Sequence, residues 1–193
     1  RSSDLFDVET LGLPLWDQPS DDPRQPRVCE LVAELFDDQT GDVLAGLHAI
    51  ILPEGWEIPD EMADIHGISQ ALAMQAGLPM RVVLPAFMAM WERCDIRVAH
   101  NEPFDRRMMR IELMKVASYT EADADRWKAG AAFCTQAKST PIVNSERPGR
   151  GKTASLAEAY EHFTGKKLEN AHTALADVAA CKAVYLALQK ELA

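Results

Sequence analysis

The sequence predicts an α/β protein with a mixed sheet covered by helices. Three observations carry this. Residues 4–8 form a first apolar run, closed by the Gly12 and Pro14 breakers. Two longer apolar runs, 28–36 and 43–52, are joined by DDQTGD, the pattern of a hairpin. From Pro59 onward helical periodicity dominates, interrupted by two short strand candidates. A leading antiparallel meander followed by β–α alternation leaves strands running both ways in one sheet.

Each element has its own reason. DEMADIHGIS, QALAMQAG and residues 83–94 after Met80 read as short helices. Strands are expected at 96–99 and 132–135, with a helix at 104–115 between them. Residues 138–152 hold four basic residues and one acid among Pro and Gly, and are expected to be a loop, either simply solvated or steering phosphates toward the site. Helices are expected again at 155–163 and 174–192. One domain spanning 4–193 is the expectation for 193 residues, with residues 1–3 an expression remnant.

Composition excludes several classes. With 47% apolar and 26% charged residues the chain is not disordered. No apolar stretch reaches the roughly 18 residues that a membrane span needs, and no secretory pattern opens the chain, so a cytoplasmic protein without membrane partners is expected. Cys29, Cys94, Cys134 and Cys181 are too scattered for a zinc module or a disulfide framework, and are read as reduced thiols. The net charge of −10 argues against a protein that coats nucleic acid, yet allows one that grips a short stretch through bound cations. GRGKTAS lacks the first Gly of a phosphate loop, and DDQTGD lacks the final Glu of a calcium loop. The eight methionines are read as core filler on helical faces.

The chemistry lies in the acids. FDVETLG places Asp7 and Glu9 two apart on a strand, hence on one face, inside an apolar run where unpartnered carboxylates are costly. HNEPFD places Asp105 at the start of a helix, and HTALAD places His172 just before a helix whose first turns carry Asp177. Four carboxylates are a hard oxygen donor set suited to Mg²⁺ or Mn²⁺, and two such ions would offset their charge. His172, with an ordinary pKa of about 6.5, could then take a proton from an attacking water.

These three motifs, in this order, resemble the DnaQ-like, DEDDh-type 3′-to-5′ exonucleases, relatives of the proofreading epsilon subunit of bacterial DNA polymerase III. The resemblance runs from about residue 4 to 190. It implies an RNase H-like αβα fold with a five-stranded mixed sheet. It also implies Asp7, Glu9, Asp105 and Asp177 as ligands of two Mg²⁺ or Mn²⁺ ions, and His172 as general base. Thr173 stands where the tyrosine branch would carry Tyr, so the histidine branch is preferred. Thr10 and Leu11 fall where relatives touch the terminal nucleotide, and DIHGIS resembles the segment packing on terminal bases, making Ile65 and His66 candidate substrate contacts. Release of nucleoside monophosphates from a single-stranded 3′ end is the implied activity, with DNA the expected polymer. An RNA-trimming enzyme of the same fold and a non-catalytic nucleic-acid-binding module are the alternatives. A polymerase or other protein partner is left open.

Overall fold

A computed structural model describes residues 1–145, 151–169 and 173–191. In chain order the elements are β1 (Ser2–Thr10), β2 (Val28–Asp37), β3 (Val43–Ile50), α1 (Asp60–His66), α2 (Gln70–Ala76) and α3 (Met80–Trp91). They continue with β4 (Ile96–Ala99), α4 (Glu102–Lys115), α5 (Glu121–Ala129), β5 (Ala132–Cys134), α6 (Thr135–Ser145), α7 (Leu156–Thr164) and α8 (Ala174–Glu191). The five-stranded sheet has the order β3-β2-β1-β4-β5. The β1–β2 and β2–β3 pairs are antiparallel, whereas β1–β4 and β4–β5 are parallel. This is the mixed sheet expected, in an αβα, RNase H-like arrangement. No helix among the described residues is long and apolar enough to cross a membrane.

Alternation along β1 divides the core between two layers. Phe6 and Val8 face α3, α4 and α5, packing with Phe87, Met108, Met109 and Trp127. Leu5 faces α8, packing with Val32, Phe36, Val98, Val178 and Tyr185. Because side chains alternate, Asp7 and Glu9 share the face of Leu5, on the α8 side. Five methionines on α3 and α4, namely Met80, Met88, Met90, Met108 and Met109, are buried, the packing role expected of them.

The hairpin forms as read. Asp37 turns its carboxylate onto the Gln39 and Thr40 amides at 2.7 and 3.1 Å, and Gly41 takes the left-handed conformation that closes the turn. β1 begins at Ser2, ahead of the expected residue 4. Ser3 is fully buried, with its hydroxyl 3.0 Å from that of Tyr185.

Two elements differ from expectation. α5 was not anticipated: only Ala124 and Trp127 of its nine residues are buried, which leaves little periodicity to read, while a capping box between Thr120 and Asp123 starts it. The expected loop 138–152 is helical through Ser145, despite Pro141. Tertiary bonds hold this helix: the Thr140 hydroxyl donates to Gln136 O and accepts from the Ala154 amide, and Asn144 Nδ2 donates to Lys152 O. Residues 146–150 lie outside the described residues.

One core residue opposes the fold. Asp4 is 0% exposed on the Phe6 face, and neither carboxylate oxygen has a hydrogen-bond partner. Burial pushes its pKa up to about 8. The folded state therefore holds this proton more tightly than the unfolded chain, so Asp4's contribution is fully present below about pH 4 and is lost as pH rises toward 8. Asp4→Val should stabilise the protein at pH 7 by roughly 2 to 4 kcal/mol, with a smaller gain at pH 4. Melting temperatures at the two pH values check this; a loss of stability at pH 7 would contradict it.

Candidate active site

The acidic site forms where β1 outruns its neighbour. The last register pair of β1 with β4 is Leu5–Val98, so beyond it β1 is open on one side and the start of α4 fills the gap. Asn101, in the left-handed conformation at φ 71°, turns the chain from β4 into α4. Such a φ is tolerated by Asn better than by most side chains. Glu102 then anchors the helix through a buried ion pair with Arg97 of β4, at 2.8 Å. Arg97 in turn donates to Trp127 O and lies 4.5 Å from the centre of the Trp127 ring. At the other end of α4, buried Glu112 accepts from Arg27 at 2.9 and 2.8 Å and from the Val28 amide at 3.0 Å. With both ends fixed, Asp105 is held in the first turn, 2% exposed, beside the Val8 N–H.

Asp177 enters from the first turn of α8. That helix is fastened to the sheet by Lys182 on Glu34, and by Tyr185 on Ser3 and Asp38. Oxygens of Asp7, Glu9 and Asp177 all lie within 4.8 Å of one another. Asp105 is outside that mutual trio, yet among charged groups it leads those that raise the Asp7 pKa, followed by Glu9, Asp177 and Glu30. Asp7 and Asp105 are both held well above the usual carboxylate range, first by burial and then by neighbouring carboxylates. Glu9 is pushed up to about 8 by burial and by Glu30 and Asp177.

Glu30 was missed by sequence reasoning. It sits directly opposite Glu9 in the β1–β2 register, 8% exposed, with its Oε1 2.7 Å from His48 Nε2 on β3. The available signal was an acid inside the apolar run 28–36, the same feature that singled out Asp7.

Four other expected residues lie at or just beyond the ends of β1 and α1. The Thr10 hydroxyl donates to Gly12 O at 3.0 Å, and Leu11 packs against Ile58 and Ile68. Ile65 is 55% exposed at the end of α1. His66 is 5% exposed and turned inward: its Nδ1 accepts from the Ile68 amide, so Nε2 carries the hydrogen toward Cys29 Sγ, 3.5 Å away. His172 lies outside the described residues. His100, which follows β4, is neutral, its pKa lowered to about 4 by burial. It ties the Thr135 hydroxyl to Ala154 O at 3.0 and 3.1 Å, bracing α6 against the site.

Fold and acidic cluster together define a nuclease-like centre, and the chain belongs to the Exonuclease (RNase_T) family, which matches residues 5–185. Among curated proteins it is similar to the PolC-type DNA polymerase III of Thermotoga petrophila and of Thermotoga maritima. Each is 32% identical over 112 residues, a stretch covering 58% of this chain and 7% of that protein. Among solved structures it is similar to Escherichia coli exonuclease I in complex with a dT13 oligonucleotide, with TM-score 0.76 and 17% identity over 99% of this chain and 42% of that one. Exonuclease I from Methylocaldum szegediense gives TM-score 0.73 at 20% identity, over 98% of this chain and 40% of that one. The chain thus spans less than half the length of these proteins. At such identities the solved structures establish the αβα fold, and the family membership anticipated from the three motifs is borne out.

Proposed function

We propose that this chain is a divalent-metal-dependent 3′-to-5′ exonuclease that releases nucleoside monophosphates from single-stranded ends, with DNA the expected polymer. The observation that carries the reading is the convergence of Asp7, Glu9 and Asp177 within 4.8 Å, with Asp105 and Glu30 adding to the charge. Among the described residues the carboxylates of Asp105, Glu9, Asp177 and Glu30 all raise the Asp7 pKa, an accumulation of negative charge that a divalent cation would offset. An oxygen-only donor set fits Mg²⁺ or Mn²⁺ better than softer metals. Similar exonuclease I structures hold dT13 and dA16 oligonucleotides and, in one case, a zinc ion, which supports both a single-stranded ligand and a metal.

In this reading Asp7, Glu9, Asp105 and Asp177 hold two ions. When bound, such a pair polarises the scissile phosphate and stabilises the leaving oxygen. The protein's own part is positional and protolytic. The acids are carried by β1, α4 and α8, with α4 held by the Arg97–Glu102 and Arg27–Glu112 ion pairs and α8 by Lys182–Glu34, so little reorganisation is needed as charge develops. His172, five residues before Asp177, accepts the proton of the attacking water as the new P–O bond forms. The P–O3′ bond breaks, and the leaving 3′ oxygen is protonated from solvent. Thr10, Leu11, Ile65 and His66 are the residues assigned, in this reading, to contact with the terminal nucleotide, Ile65 through an exposed side chain.

Single-stranded DNA, duplex DNA and RNA, labelled at either end and incubated with Mg²⁺, test the reading. Expected are a stepwise ladder from 5′-labelled single strands and immediate release of labelled mononucleotide from 3′-labelled ones. Mononucleotide release from 5′ ends, internal fragments, or no cleavage of any polymer would contradict it. Faster RNA cleavage would assign the RNA-trimming alternative.

A further inference from the structure

The segment that leaves the acidic strand, residues 11–27, is built like part of a site rather than a slack connection. Buried Gln25 braces it from within: its Oε1 accepts from the Leu15 amide at 2.9 Å, and its Nε2 donates to Leu15 O at 2.9 Å and Pro19 O at 3.0 Å. α4 braces it from outside, with Arg107 donating to Leu15 O and Gln18 O, Arg110 to the Ser20 hydroxyl, and Lys115 to Asp22 O. These bonds give the segment a direction. Residues 15–18 lie at Arg107, Ser20 at Arg110 and Asp22 at Lys115, so the chain runs down α4 and its beginning lies at the end of the helix that carries Asp105.

At that end the braced segment presents an indole outward. Trp16 is 57% exposed, while Trp127 is fully buried and Trp56 and Trp91 are partly buried. Exposing most of a large apolar ring on a braced backbone forgoes hydrophobic stabilisation, and a flat π-surface on the segment that leaves the acidic strand is what a splayed-out base can stack upon. Arg106, 35% exposed in its side chain, follows Asp105 on the same helix, its guanidinium 3.8 Å from Glu102.

We propose that Trp16 is a base-stacking platform for the substrate strand, upstream of the nucleotide being removed. This rests on the exonuclease reading and deepens it: Trp16 supplies grip on unpaired strands regardless of sequence, since every base offers a π-face. Duplex ends, whose bases are already stacked on each other, gain nothing from the ring.

The test is binding of dT2 and dT12 by the full chain, with Ca²⁺ replacing Mg²⁺ to slow cleavage, read by intrinsic fluorescence and by anisotropy of labelled oligonucleotide. Wild-type emission from the exposed indole should be quenched by dT12. Trp16→Ala should lose that quench and weaken dT12 binding by about five- to a hundred-fold, with a smaller penalty on dT2. Trp16→Phe should retain part of the affinity, which a merely structural loss would not restore. If wild type binds and cleaves dT12 but Trp16→Ala leaves the quench and affinity unchanged, the platform is wrong and the exonuclease reading stands. If wild type neither binds nor cleaves any single strand, both fall. Unchanged dT12 affinity with loss of self-association in light scattering would assign the ring to a contact between copies and also overturn the proposal.

Discussion

Asp7→Asn should make the metal-free protein more stable while removing its cleavage activity. Asp7 is raised well above the usual carboxylate range by burial and by the nearby charges of Asp105, Glu9, Asp177 and Glu30. A raised acid contributes its full stability only below its unfolded pKa near 4, and loses it as pH rises. At neutral pH the cluster therefore works against folding, and an isosteric amide relieves that repulsion. A gain of about 1 to 3 kcal/mol is expected, roughly 2 to 10 °C for a chain of this size. Activity should fall by about a thousand-fold or more, because ions in such sites supply several kcal/mol of charge stabilisation and each 1.36 kcal/mol is tenfold in rate. The thermal shift that Mn²⁺ gives wild type should disappear with it. Melting curves with and without Mn²⁺, run beside the cleavage assay, check all three. A variant less stable without metal, or still active, would show that the four acids are not a repulsive cluster awaiting cations.

His172→Ala separates chemistry from metal binding. The residue precedes α8, whose first turn carries Asp177, and its proposed role as general base rests on HTALAD. Loss of a general base costs about two to four orders of magnitude. The rate should fall by that much while the Mn²⁺-induced thermal shift persists. The wild-type rate should also decline as pH drops below about 6.5, where an ordinary imidazole becomes protonated and can no longer accept a proton. That acid limb should flatten in the variant. A pH–rate profile for both proteins decides the matter: parental rates, or an unaltered acid limb, would remove His172 from the mechanism.

What was legible in the sequence followed the strength of local patterning. Asp7 and Glu9 could be placed on one face because strand alternation leaves no choice, and the β2–β3 hairpin because DDQTGD supplies the turn residues. The acids of α4 and α8 were found through motif order; their approach to β1 depends on distant anchors such as Arg97–Glu102 and Lys182–Glu34, which no local pattern reveals. Glu30 escaped notice because its relation to Glu9 exists only through cross-strand register. α6 escaped because Pro141 and the polar neighbours of 138–152 read as loop, whereas bonds from Thr140 and Asn144 to residues 152–154 hold it helical. His66 and Ile65 show the same limit. Adjacent on a short helix, one turns toward Cys29 and the Ile68 amide and the other faces solvent, a choice made by contacts outside the helix.

The central claim is that these carboxylates exist to hold divalent cations. Calorimetric titration of the metal-free wild-type chain with Mn²⁺ in the presence of a mononucleotide tests it most directly. Two ions per chain are predicted, with binding lost in Asp7→Asn; no bound Mn²⁺, or the same isotherm from both proteins, would contradict the account.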